Sequence, residues 1–158
     1  MLPKVYVETS VISYLVARRN QRDLLVASNQ ELTHEWWESR RASFELCVSA
    51  VVLAEASRGD PMFASPRMAI ARTLTLVETS ESAMQVANAL LQHAGLPQNA
   101  YEDALHIAIA ATTGMDYLLT WNCKHIANGV IIPRVNHVIR SFGFEPPLIY
   151  TPQELMEE

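Results

Sequence analysis

Nowhere in this chain do apolar residues continue for the roughly 20 positions that a membrane-spanning helix needs. The first residues also lack the basic-then-apolar layout of an export signal. These two absences point to a cytoplasmic address, away from membranes. Cysteine is scarce: Cys47 and Cys123 are the only two, and they stand at no metal-motif spacing. Without an export signal they are expected as reduced thiols, not as a disulfide. There is no internal repeat, low-complexity segment or linker, and glycine is limited to five residues. That excludes fibrous and disordered classes. Positive charge is in the minority, with 12 Lys and Arg against 17 Asp and Glu, a net charge of −5. Proteins that grip nucleic acid by bulk electrostatics are usually basic. Any nucleic-acid chemistry here must therefore come from a local site. Arg18, Arg19 and Arg22 form a candidate basic patch, or equally the solvated face of a helix.

What is present is an ordinary globular composition. The 158 residues, 49% of them apolar, are enough for one domain with a hydrophobic core, spanning 1–158. Strand-like runs are expected at 4–7, 44–52, 74–80 and 116–121, and at the PLIYT segment near the end. Helical patterns lie between them: after Thr9-Ser10, over 23–41, in LAEASRG, over 65–74, over 81–96, from Tyr101 to Gly114, and from Pro133 to Arg140. Asn99 with Glu102 three residues later has the layout of a capping box. Strands alternating with helices predict an α/β fold with a mostly parallel sheet of about five strands. Trp36 and Trp37 are adjacent, so both cannot face one side of a helix. One of them is expected at the surface, where it would meet a partner chain. Met84, Leu90 and Leu91 read as core or dimer-contact residues.

In such sheets ligands bind at the carboxyl ends of the strands. Glu8 directly follows the first strand and should point into that crevice. Glu55 follows the second strand and sits among Val51, Val52, Leu53, Ala54 and Ala56. Acids seldom occupy such company unless paired or metal-bound; the alternative is a surface glutamate weakly paired with Arg58. Asp103 lies in the first turn of the Tyr101 helix, where a carboxylate also suits the helix dipole. His106 shares its face and offers a supporting role. Thr120-Trp121-Asn122-Cys123-Lys124-His125 follows the fourth strand. Asn122 could offer a carbonyl oxygen to a metal or water, or simply cap the turn, and Lys124 could meet a phosphate.

Carboxylates converging from separate segments repel unless a cation offsets them. Hard oxygen ligands without a Cys or His set suit Mg²⁺ or Mn²⁺. Such an ion polarises a phosphoryl group and activates a bound water. The residues thus point to metal-assisted phosphodiester hydrolysis, without naming a substrate.

At these positions the chain resembles the PIN-domain ribonucleases of the VapC toxin group. The resemblance runs through Glu8 with Ser10, Ser49 to Glu55, Asp103-Ala104-Leu105-His106-Ile107-Ala108, and Thr120-Trp121-Asn122. It covers nearly the whole chain, and the four motifs are specific only in combination. It implies a three-layer α/β/α sandwich and a divalent-metal endoribonuclease, the toxin of a toxin–antitoxin pair. It also implies an RNA substrate, a cognate antitoxin and a homodimer. Glu8, Glu55 and Asp103 would hold Mg²⁺ or Mn²⁺, Asn122 would complete the catalytic set, and Ser10, Thr120 and His106 would support it. Two departures stand out: Glu8 where the family usually has Asp, and Asn122 where a further acid is common. Those departures keep open a PIN-like RNA- or protein-binding module with a weakened metal site. An aspartyl-nucleophile phosphatase fits poorly, since it would want Asp at position 8.

Overall fold

The computed structural model describes residues 1–156. Five strands form one sheet: β1 (Lys4–Val7), β2 (Glu45–Ser49), β3 (Thr75–Val77), β4 (Tyr117–Leu119) and β5 (Leu148–Tyr150). Their spatial order is β3-β2-β1-β4-β5 and every pairing is parallel. Val5 is in register with both Leu46 and Tyr117. Central parallel strands are covered on both faces and read as unbroken apolar runs. Accordingly, Val5, Tyr6 and Val7 are fully buried.

Helices make the outer layers of the α/β/α sandwich: α1 (Thr9–Val16), α2 (Leu24–Arg40), α3 (Ala50–Ala56), α4 (Pro61–Ala71), α5 (Glu81–His93), α6 (Tyr101–Thr112) and α7 (Ile132–Ser141). Helices α1, α2, α3 and α4 pack among themselves, and α5 packs on α6 and α7. A helix apolar on all sides is an interior one. Ala104 to Ala111 of α6 are all buried, with His106 among them. The chain builds outward from β1 to β2 and β3, then returns to the other side of β1 for β4 and β5. That reversal places a crevice at the carboxyl ends of β1 and β4, where Glu8 and Thr120 emerge.

Several local expectations are corrected. The second strand ends at Ser49, because Ala50, Val51 and Val52 already form the first turn of α3. The helix expected over 65–74 begins earlier: Asp60 caps it by accepting from Met62 N, and Pro61 stands in its first turn. The Asn99 capping box does not form. Residues 98–100 make a 3₁₀ turn, α6 has no side-chain cap, and Glu102 turns to Arg58. Arg58 therefore pairs with Glu102 and not with Glu55, as the alternative reading of Glu55 had it. Arg18, Arg19 and Arg22 lie in the connection between α1 and α2, not on a helix face, and Arg19 pairs with Glu31 at 2.8 Å. Of the adjacent tryptophans, Trp36 is fully buried, while Trp37 is partly exposed beneath the Arg41 guanidinium. Leu90 and Leu91 are core, and Met84 is exposed. Both cysteines are free thiols, Cys47 buried and Cys123 exposed. No helix among the described residues is long and apolar enough to cross a membrane.

Candidate active site

Glu8 stands one residue beyond β1, where its backbone N–H extends the ladder to Leu119 O at 3.0 Å. Its carboxylate turns inward and is only 5% exposed. Oε2 accepts from Ser10 N at 3.0 Å, so Glu8 itself is the N-cap of α1. Oε1 accepts from the Ser10 hydroxyl and, at 2.6 Å, from Thr120 Oγ1. Ser10 and Thr120 thus clamp one carboxylate from the ends of two neighbouring strands. The extra methylene that distinguishes Glu from Asp is used in this fold-back; it does not push the carboxylate into solvent.

Glu55 comes from the last turn of α3. Its Oε1 accepts from Thr9 Oγ1 at 2.5 Å and faces His106 Nε2 at 2.6 Å. Oε2 takes no hydrogen bond among the described residues. Burial alone would raise the Glu55 carboxyl. The hydrogen bond and charge of His106, with help from Thr9 and Arg58, outweigh it and hold the carboxyl below its usual range.

His106 is fully buried. Its Nδ1 is 2.6 Å from the Tyr6 hydroxyl, which lies 2.7 Å from Ser49 Oγ. The Tyr6 ring meets the imidazole edge-on. Burial would lower the His106 pKa. The hydrogen bond to Glu55 and the negative charges of Glu8, Glu55 and Asp103 reverse this and raise it above the ordinary imidazole value. Burial pushes the Tyr6 phenol far up, so it stays neutral. The result is a continuous buried chain from Ser49 through Tyr6 and His106 to Glu55.

Ligand atoms of Glu8, Glu55 and His106 all lie within 4.8 Å of one another, the one such grouping among the described residues. The two carboxylates at that spacing can share a small divalent cation, with the imidazole hydrogen-bonded to one of them. Asp103 opens α6 nearby but falls outside the tight group; its Oδ2 meets His125 Nδ1 at 2.9 Å, and both side chains are about one-fifth exposed. Asn122 Oδ1 accepts from His125 N at 3.0 Å and Lys124 N at 3.3 Å, while Asn122 N donates to Thr120 Oγ1 at 2.9 Å. Its carbonyl oxygen therefore shapes the 123–126 turn. Thr9, Tyr6 and the Asp103–His125 pair are neighbours of the site that no sequence motif singles out. The first followed Glu8 in plain view; the others become partners only through the fold.

By sequence, no family model matches the chain, and no curated protein does. Solved structures do. VapC20 of Mycobacterium tuberculosis, a sarcin–ricin loop cleaving toxin, superposes with a TM-score of 0.59 at 18% identity, over 79% of this chain and 95% of that one. A chain from VapBC2 of Rickettsia felis, bound to a DNA fragment from their promoter, gives 0.54 at 16% identity, over 94% and 98%. This is a PIN-like fold.

Proposed function

We propose that this chain is a divalent-metal-dependent endoribonuclease and the toxin of a toxin–antitoxin pair. The observation that carries the reading is the convergence of Glu8, just beyond β1, with Glu55 of α3 and His106 of α6. The fold shared with a sarcin–ricin loop cleaving toxin supports RNA as the substrate. The likeness to VapBC2 supports a protein antitoxin as partner. A homodimer and a cytoplasmic location belong to the same reading, as does a single domain over 1–158.

The donor chemistry fits Mg²⁺ or Mn²⁺. Glu8 and Glu55 would hold the ion, with Asp103 at the mouth of the crevice. A bound ion of this kind supplies an activated water and stabilises charge on the phosphoryl oxygens. Thr120 and Ser10 fix Glu8, while Thr9 and His106 fix Glu55, so the two carboxylates need little reorganisation to act together. Asn122 supports the crevice through the turn that carries His125.

One specific observation favours a second reading. Asn122 Oδ1 is used by the turn and Asp103 is paired with His125, which leaves a site less acidic than the motif pattern suggests. A PIN-like binding module with a weakened metal site would look the same. Purified protein incubated with structured and single-stranded RNA in EDTA, Mg²⁺ or Mn²⁺ separates the two. The nuclease reading requires metal-dependent cutting that is lost in Glu55→Gln and in Asp103→Asn. Intact RNA under every metal, together with no Mn²⁺ binding by calorimetry, would leave the binding module.

A further inference from the structure

One ion pair beside this site has no role in the reaction as described so far. Arg58 donates through both terminal nitrogens to Glu102, at 2.9 Å to Oε1 and 2.8 Å to Oε2. The pair joins the segment just after α3 to the first turn of α6. Glu55 lies in the last turn of α3, just before Arg58, and Asp103 shares the first turn of α6 with Glu102. Arg58 N still donates to Glu55 O at 3.2 Å, so the guanidinium springs from the turn that ends in the carboxylate. Its charge also reaches Glu55 and helps hold that carboxyl down.

The backbone beneath Arg58 is fixed, while its side chain is not buried. Arg67 of α4 donates to Ala56 O at 3.0 Å and to Arg58 O at 2.5 Å. The Arg58 and Glu102 side chains are 60% and 42% exposed. A pair so exposed adds little to stability, which makes it cheap to exchange. The guanidinium fork donates to a carboxylate or a phosphate with the same two-pronged geometry. The need for a local cation is plain. The chain is net −5, the site gathers the carboxylates of Glu8 and Glu55, and an RNA strand brings more negative charge.

We propose that Arg58 is a phosphate-binding residue of this site and that Glu102 is its placeholder, surrendering the guanidinium to an RNA backbone phosphate when substrate enters the crevice. This rests on the nuclease reading above and adds the group that seats the strand. Glu102 then acts as a competitor of the substrate, so the two partners of one ion pair affect binding in opposite directions.

The test is fluorescence anisotropy with a labelled single-stranded RNA and its DNA counterpart, in EDTA so that nothing is cut, over a salt series. Full-length wild type, Arg58→Ala, Arg58→Lys and Glu102→Gln are compared, with urea midpoints confirming that each is folded. Arg58→Ala is expected to weaken RNA binding roughly three- to tenfold and to lower the salt slope by about one. Glu102→Gln is expected to tighten binding by a similar factor, and Arg58→Lys to recover part of the loss. The DNA counterpart should follow the same order, since the contact is to phosphate. Equal effects of Arg58→Ala and Glu102→Gln, or none, would reduce the pair to a structural tie and overturn the proposal. A KM unchanged in Arg58→Ala while metal-dependent cutting continues would overturn it too, leaving the nuclease reading intact. Opposite shifts in binding by a protein that never cuts would do the reverse.

Discussion

His106 Nε2 lies 2.6 Å from Glu55 Oε1, in a part of the molecule closed to solvent on the histidine side. A hydrogen bond to a ligand from a buried imidazole fixes that ligand's direction, and partners of this kind commonly change metal affinity by about 10–100-fold when removed. His106→Ala should therefore weaken Mn²⁺ binding by about that factor. It should also destabilise the fold by about 1–3 kcal/mol, because Tyr6 and Glu55 lose a buried partner. Calorimetry with Mn²⁺ and urea unfolding read the two effects separately. Unchanged metal affinity in a folded variant would reduce His106 to a packing residue.

The same contact gives the metal-free protein a pH signature. The Glu55 carboxyl is held below its ordinary 4.5, so its contribution is complete above that pH and is lost as pH falls through the depressed folded value. The His106 imidazole is raised above its ordinary 6.5, so its contribution is complete below that pH and is lost as pH rises through the folded value. In EDTA, the share of stability from this pair should be fullest between the two. The alkaline decline should vanish in His106→Gln. Urea midpoints measured across the pH range decide it, and an alkaline limb that persists in the variant refutes the assignment.

The pattern of legibility follows from which interactions are local. The apolar runs around Val5, Leu46, Leu118 and Ile149 were readable as strands because buried parallel strands have no polar face to disguise them. Glu8 and Glu55 were readable because they follow those strands. The sheet order was not, since pairing β4 beside β1 depends on contacts more than 100 residues apart, such as Thr120 to Glu8. Val51 and Val52 misled by their β-branched character, which packing in α3 overrides. Asn99 and Glu102 satisfied a capping pattern, yet a 3₁₀ turn and the Arg58 pair took both away. The Asp103–His125 contact had no sequence signal at all.

The adjacent tryptophans should differ sharply in what they hold. Trp36 is fully buried, stacks on Phe44 and donates from its indole to Leu155 O at 3.2 Å. Trp37 is partly exposed, packs against the core from its edge and carries the Arg41 guanidinium over its ring. Trp36→Ala should cost about 3–5 kcal/mol by leaving a large cavity, whereas Trp37→Ala should stay near 1 kcal/mol or below. Paired urea titrations test this, and comparable losses would mean that Trp37 is also covered, as in a dimer.

Glu8 joins two duties that substitution can separate. Its carboxylate caps α1 through Ser10 N and also stands within the proposed ion site. Glu8→Gln keeps the length and one acceptor oxygen, so the cap survives in part and the charge does not. Glu8→Asp keeps the charge but draws the carboxylate back from Thr120. On the proposed reading, Glu8→Gln should abolish measurable Mn²⁺ binding while costing only about 1 kcal/mol of stability. Glu8→Asp should retain metal binding, since the charge remains, and lose a similar amount of stability with the Thr120 contact. Calorimetry and urea unfolding on both variants give four numbers, with similar stabilities and opposite metal binding. A Glu8→Gln protein that still binds Mn²⁺ as tightly as wild type would show that Glu8 is a structural cap alone, and that the ion is held by Glu55 and its neighbours.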